Sequence, residues 1–226
     1  MYIFLGILCS LIFGYLLGSI SNGVLIGKLF FGIDVRTQGS HNSGGTNTGR
    51  VLGKKVGLIV IILDVLKTMI AVWVTLFICR ISPIQEALVI NPSYYAYLAG
   101  FASCIGHTFP CFFSFKGGKA VACLGGLCLA TNWLISLIGI VFFLLILLLF
   151  KYVSLSSILT SLFVLVLSFI PFIIDFGMNF AMIGDLYYSL LFLAISILVI
   201  ARHYTNIKRI INKTENKIHW FNNKNK

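Results

Sequence analysis

Long apolar runs alternate with short polar connections along the whole chain, and glycine, hydroxyl and cationic residues gather in every second connection. The run 133–150, WLISLIGIVFFLLILLLF, is continuously apolar. Such runs have the length of membrane-crossing helices and lack the two-residue alternation of an outer-membrane barrel. The pattern predicts seven spans. The first, 1 to about 31, carries a polar patch at Gly18, Ser19, Ile20, Ser21 and Asn22, where it breaks, packs tightly or lines a cavity. The second, about 57–79, holds Asp64 and Lys67, whose i, i+3 spacing puts them on one helix face. A third covers about 93–106. The segment 120–131 is only about 18 Å long at helical rise and reads as a short tilted span or a re-entrant helix. A fifth span ends at Lys151, a sixth runs to about 174, and a seventh covers about 186–201.

Composition agrees. In 226 residues the hydrophobic fraction is 59% and the charged fraction 10%, and the mean hydropathy is +1.01. The chain is therefore read as one polytopic, all-α membrane domain covering 1–226, with 202–226 a basic tail. The formal net charge of +11 does not point to nucleic acid, because the cations lie at helix ends and in alternate connections, as in a protein orienting itself in a membrane. That distribution predicts an N-terminus outside, a C-terminus in the cytoplasm, and the 32–56 and 106–119 connections on the cytoplasmic face. The six cysteines form no C-x-x-C pair and read as small buried apolar residues.

The richest connection is DVRTQGSHNSGGTNTGR, 34–50. Gly39, Gly44, Gly45 and Gly49 let backbone approach a ligand closely, Ser40, Asn42, Ser43, Thr46 and Asn47 supply uncharged donors, and Arg36 and Arg50 add fixed charge. A solvated turn would share part of this composition. A second connection, GHTFPCFFSFKGGK, 106–119, surrounds Gly117 and Gly118 with His107, Lys116 and Lys119. With 151–157 and 202–209 these clusters converge on one face and hold almost no carboxylate. Such a face suits phosphoryl groups and lacks the acidic ligands of a Mg²⁺ site, so neither metal nor cofactor is expected. FKGGKA lacks the spaced first glycine and the Ser or Thr of a Walker A loop. An anion transporter or channel is the alternative, but it calls for polar groups spread through the membrane and often an inverted repeat, and no repeat is evident.

These residues resemble the membrane-embedded, acyl-phosphate-dependent glycerol-3-phosphate acyltransferases of bacteria, PlsY, from about Gly14 to Lys217. GSHNSGGTNTGR is similar to that family's GSGNxGATNxxR, IILDVLKT to its LDxxKG pattern, GHTFPCFFSFKGGKAVA to its second motif, YVSLSSI to its third, and RHYTNIKRIINKTE to RHxxNIxRLxxGtE. His41, Gly45, Ser21, Cys123 and Thr68 depart from the usual Gly, Ala, Pro, Thr and Gly. The resemblance implies transfer of an acyl group from acyl phosphate to the 1-hydroxyl of sn-glycerol 3-phosphate, with lysophosphatidic acid and phosphate as products. It implies a plasma-membrane protein whose site faces the cytoplasm, and the enzyme that makes acyl phosphate as a candidate partner. Ser40, Arg50, His107 and Lys119 are the expected catalytic residues. Asn42, Gly44, Thr46, Asn47, Lys116, Gly117, Gly118, Ser154, Asn206 and Arg209 are expected to bind substrate. His107 is a candidate base that lacks an orienting carboxylate in the sequence; otherwise a phosphate oxygen of the substrate takes the proton.

Overall fold

The first apolar run does break at its polar patch. In the computed structural model, which describes residues 2–88 and 90–218, α1 (Tyr2–Gly18) stops and α2 (Asn22–Phe31) resumes after three residues. Gly14 and Gly18 face α6 (Pro92–Thr108) so closely that a Cβ on either would strike the backbone of Ala99 or Ser103. Gly106 of α6 answers from the other side, against the carbonyl of Tyr15. Small residues at a helix crossing let backbones approach where lipid gives no hydrophobic drive for association.

The loop after α2 carries α3 (Gly45–Val51), packed on the start of α4 (Lys54–Cys79). Gly57 of α4 has no room for a Cβ, which would lie 2.6 Å from the Cα of Gly49 and 2.7 Å from the carbonyl of Gly45. A short α5 (Ser82–Leu88) lies in the connection between α4 and α6. Asn91 caps α6 by accepting from the amide of Ser93, and Pro92 occupies the first turn, where its missing N–H costs nothing. α7 (Val121–Thr131) is the short segment, 11 residues. Asn132 then caps α8 (Trp133–Phe150) through the amide of Ile135 at 2.9 Å.

The sixth span is shorter than the pattern of apolar residues predicts. α9 (Val153–Leu167) ends seven residues early and turns by 91° into α10 (Pro171–Gly177). Pro171 cannot donate to the helical ladder and forces Ile170 into extended backbone, so the apolar run continues while the helix does not. The carbonyl freed at Ser168 accepts from Ser189 of α11 (Leu186–Arg202). Asp185 caps α11 through the amide of Tyr188. A 57° bend at His203 leads into α12 (Tyr204–Ile211). Every expected span carries a helix, but among the described residues three segments are long and apolar enough to cross a bilayer (Tyr2–Phe31, Lys54–Cys79 and Trp133–Phe150), or five if each bent pair is one span. Among the described residues there is no strand. The basic tail expected over 202–226 is helix as far as Ile211 and then folds back, the amide of Ile218 reaching the carbonyl of Lys151 at 2.8 Å; its last part, 219–226, lies outside the described residues.

His41, which departs from the usual glycine, has a φ of 55°. An L-residue is strained there by about 1 kcal/mol relative to glycine. His41→Gly is therefore expected to raise stability by roughly that amount, or leave it level once the added chain entropy of glycine is counted, as read from thermal unfolding in detergent. A loss of more than this would mean that the imidazole bond to the Arg36 carbonyl, 3.1 Å, outweighs the strain.

Candidate active site

The glycine-rich loop is held by its own side chains. Asp34 accepts from the amide and guanidinium of Arg36 at 2.8 to 3.0 Å, with Lys28 at 3.5 Å. The Arg36 hydrogen bond outweighs partial burial and holds the Asp34 carboxyl down at about 2. Arg36 also donates to the carbonyls of Phe113 (2.7 Å) and Lys116 (3.2 Å), fastening the first loop to the second. Asn47 is fully buried. Its Oδ1 accepts from the amide and hydroxyl of Ser40 (2.7 and 3.1 Å), and its Nδ2 donates to the carbonyls of Val35, Gln38 and Asn42. The amide expected to bind substrate thus organises the loop, and it sets the direction of Ser40. Asn42 accepts from the amide of Gly44 at 2.9 Å and reaches the carbonyl of Gly117 at 3.4 Å. Thr46 and Arg50 project from α3 and are exposed toward the open side.

The second loop folds back on the end of α6: the amide of Gly117 donates to the carbonyl of Thr108 and that of Gly118 to the carbonyl of His107. A Cβ on Gly118 would fall on Nε2 of His107, and one on Gly117 on the His107 carbonyl. Both glycines are thus required by contact with His107 as much as by any ligand. Lys116 is exposed and does not line the cavity; its place in the site is only through its carbonyl. Lys119 points inward and donates to Oδ1 of Asn206 at 2.6 Å. Burial, aided by Arg209, Arg50 and Arg202 and opposed by Glu215, pushes its ammonium down to about 8.

His107 does have carboxylate company. Its Nδ1 lies 3.1 Å from the ammonium of Lys67 and 3.6 Å from Asp64. Lys67 uses all three of its donors, on Nδ1 of His107, on Asp64 at 3.0 Å and on the carbonyl of Ile20 at 2.6 Å, which the break between α1 and α2 leaves free. Asn22 adds a fourth member, donating to Asp64 at 2.9 Å. An ammonium has no acceptor, so in the neutral ring Nδ1 of His107 accepts from Lys67 and Nε2, against Gly118, carries the proton.

The C-terminal segment supplies a residue that the search for anion-binding chemistry passes over. Glu215 is buried; Oε1 accepts from Ser154 (2.8 Å) and Asn206 (2.7 Å), and Oε2 from Arg209 (2.7 Å). Burial works against its charge, but those hydrogen bonds outweigh it and hold the carboxyl below its usual range. Arg209 is thereby occupied with Glu215, and it does not line the cavity. His203 is the other residue missed. Its Nδ1 faces the carbonyl of Val199 at 2.8 Å and so carries the proton, leaving Nε2 as an acceptor; burial and the nearby Lys119 push the ring down to about 4. Its adjacency to Arg202 in the RHYTNIKR cluster is the sequence signal that marked it.

These pieces line one cavity of about 410 Å³. Its polar end is formed by Ser40, Asn42, Gly44, Thr46, Asn47, Arg50, His107, Lys119, Ser154, His203, Asn206 and Glu215. From there it runs between α7, α8 and α9 past Leu124, Ile135, Ile140, Phe143, Leu144 and Val164. Ile140 and Leu144, which line it, are about half exposed (49% and 47%), so the apolar end is open to the surface beside α8. Among the described residues no three His, Cys, Asp or Glu side chains are grouped as a metal site requires.

The family model described as glycerol-3-phosphate acyltransferase matches residues 8–213. A glycerol-3-phosphate acyltransferase of Bacillus subtilis (strain 168) is 41% identical over 210 residues, 93% of this chain and 96% of that one. One from Mycoplasmopsis synoviae (strain 53) is 38% identical, covering 96% and 98%. The crystal structure of PlsY, an integral membrane glycerol 3-phosphate acyltransferase, in its glycerol 3-phosphate form matches with a TM-score of 0.78 at 34% identity over 94% of this chain and 96% of that one. The lysophosphatidic acid form of the same protein gives 0.76. An all-helical fold, a basic phosphate-sized pocket continuous with an apolar groove, and agreement over nearly the full length converge: the chain belongs to the glycerol-3-phosphate acyltransferases and is an integral membrane enzyme of that family.

Proposed function

We infer that the enzyme transfers an acyl group from acyl phosphate to the 1-hydroxyl of glycerol 3-phosphate, giving lysophosphatidic acid and phosphate, at a site facing the cytoplasm from the plasma membrane. The observation that carries this reading is the continuity of a cationic, hydroxyl-rich pocket with an apolar groove that opens sideways. One end suits two phosphoryl groups and the other an acyl chain. A conduit for phosphate would have no use for the apolar half.

In the reaction the hydroxyl oxygen attacks the acyl carbonyl carbon, a C–O bond forms, and the bond to the phosphate oxygen breaks. An acyl phosphate is already activated, so the protein's main tasks are alignment and stabilisation of charge on the carbonyl oxygen and the departing phosphate. Arg50, Thr46 and Ser40 serve one phosphoryl group, and Lys119 with Asn206 the other. Nε2 of His203 is an acceptor for the attacking hydroxyl, but a ring with so low a proton affinity does not retain the proton, which passes to the departing phosphate. His107 is not the base on this reading: Nδ1 is engaged by Lys67 and Nε2 faces Gly118. It holds the second loop in place.

The test is a metal-free assay of the purified protein in lipid, with acyl phosphate and labelled glycerol 3-phosphate. Arg50→Ala should lower kcat/KM by roughly 10²-fold or more, since a charge is removed from where phosphate charge is held. Product from acyl-CoA but none from acyl phosphate would overturn the donor, and an unimpaired Arg50→Ala would remove the first loop from catalysis.

A further inference from the structure

Two adjacent glycines in the middle of α7 stand in opposite surroundings. A Cβ on Gly126 would strike the carbonyl of Val65 and lie 3.1 Å from the Cβ of Thr68, so helix packing explains that glycine. A Cβ on Gly125 would meet nothing within 4 Å. Glycine weakens a helix interior relative to alanine, and at position 125 no neighbour requires it. What lies beside it is the cavity, which Gly125 lines. Across the same cavity α8 presents Gly139, where a Cβ would lie 2.9 Å from Cγ1 of Val164 of α9, another lining residue.

We propose that Gly125 is a specificity-determining residue for the acyl donor: its missing side chain leaves the width through which a long acyl chain continues into the groove. The inference rests on the acyl-transfer reading above. Lys119 marks the phosphate end, and Gly125 lies beyond it in α7, about 6 Å at helical rise from the first residue of that helix, Val121. An extended chain advances roughly 1.2 Å per bond, taking a peptide's three bonds as about 3.6 Å. About five bonds of the acyl chain cover that rise, and more lie between it and the phosphate end. A butyryl group ends before it, whereas a palmitoyl group has to pass it.

The experiment compares butyryl phosphate with palmitoyl phosphate as donors for the wild type, Gly125→Leu and Gly125→Ala. Leucine at 125 should leave butyryl transfer near the wild-type rate, which also reports correct folding, and lower kcat/KM for palmitoyl phosphate by about 10- to 200-fold, the discrimination an apolar pocket achieves by shape. Alanine adds one methyl to open space; it should raise the melting temperature and lower the palmitoyl-to-butyryl ratio by a few-fold. Equal change on both donors in the leucine variant overturns the proposal, and so does an inactive leucine variant together with an unchanged ratio in the alanine one. A wild type that uses neither acyl phosphate overturns the donor reading itself, and the proposal with it.

Discussion

Glu215→Gln is expected to lower kcat/KM by roughly 10²-fold and to move the alkaline limb of the pH profile to lower pH. Oε1 serves both Ser154 and Asn206, and Oε2 serves Arg209. An amide offers one oxygen and one NH₂, so a donor is left facing a donor. A charged hydrogen bond lost in a buried setting costs about 2 kcal/mol or more. The second consequence is electrostatic. Glu215 is the group that supports the charge of Lys119 against burial and three arginines. Without it the Lys119 ammonium releases its proton at a lower pH than its present value of about 8, and phosphate binding is lost from a correspondingly lower pH upward. A rate loss with an unmoved alkaline limb would reduce Glu215 to a brace for the C-terminal segment.

Lys67→Met is expected to destabilise the protein by about 3–5 kcal/mol, the cost of leaving a buried charge without its partner. Asp64 is 1% exposed, and with Lys67 gone its neighbours among the described residues are Asn22, which donates to it, and Nδ1 of His107 at 3.6 Å. The carbonyl of Ile20 and Nδ1 of His107 lose their donor in the same step. Because one ammonium serves all three, Asp64→Asn combined with Lys67→Met should cost less than the sum of the single changes, by about 1–3 kcal/mol in a double-mutant cycle of detergent unfolding. Strict additivity would mean that the two residues do not act as a unit.

What the sequence made legible was local. Apolar runs and glycine clusters declare themselves within a few residues, and so does the polar patch where the first run breaks after Gly18. Pro171 is a boundary signal of the same local kind, masked by the apolar residues on both sides of it. What stayed hidden depends on separation along the chain. Ser154 meets Glu215 across 61 positions, and Lys67 meets Ile20 across 47. The family pattern ends on Glu215, but no spacing rule announces that this acid returns to a cationic pocket, or that His107 has its carboxylate on another helix. Asn47 and Arg36 show a further limit: side chains of the right chemistry for a ligand can be spent on holding the loops themselves, Asn47 within the first and Arg36 between the first and the second.

The sideways opening between Ile140 and Leu144 has a consequence for how the two substrates are counted. On the proposed reading, glycerol 3-phosphate arrives from water and its supply is a number per unit volume, whereas the acyl donor arrives within the plane of the bilayer and its supply is a number per unit area. Dilution of the membrane with inert lipid then slows the enzyme at constant bulk donor concentration, while dilution of the whole suspension leaves donor occupancy unchanged. The same opening returns the acylated product to the leaflet without exposing its chain to water.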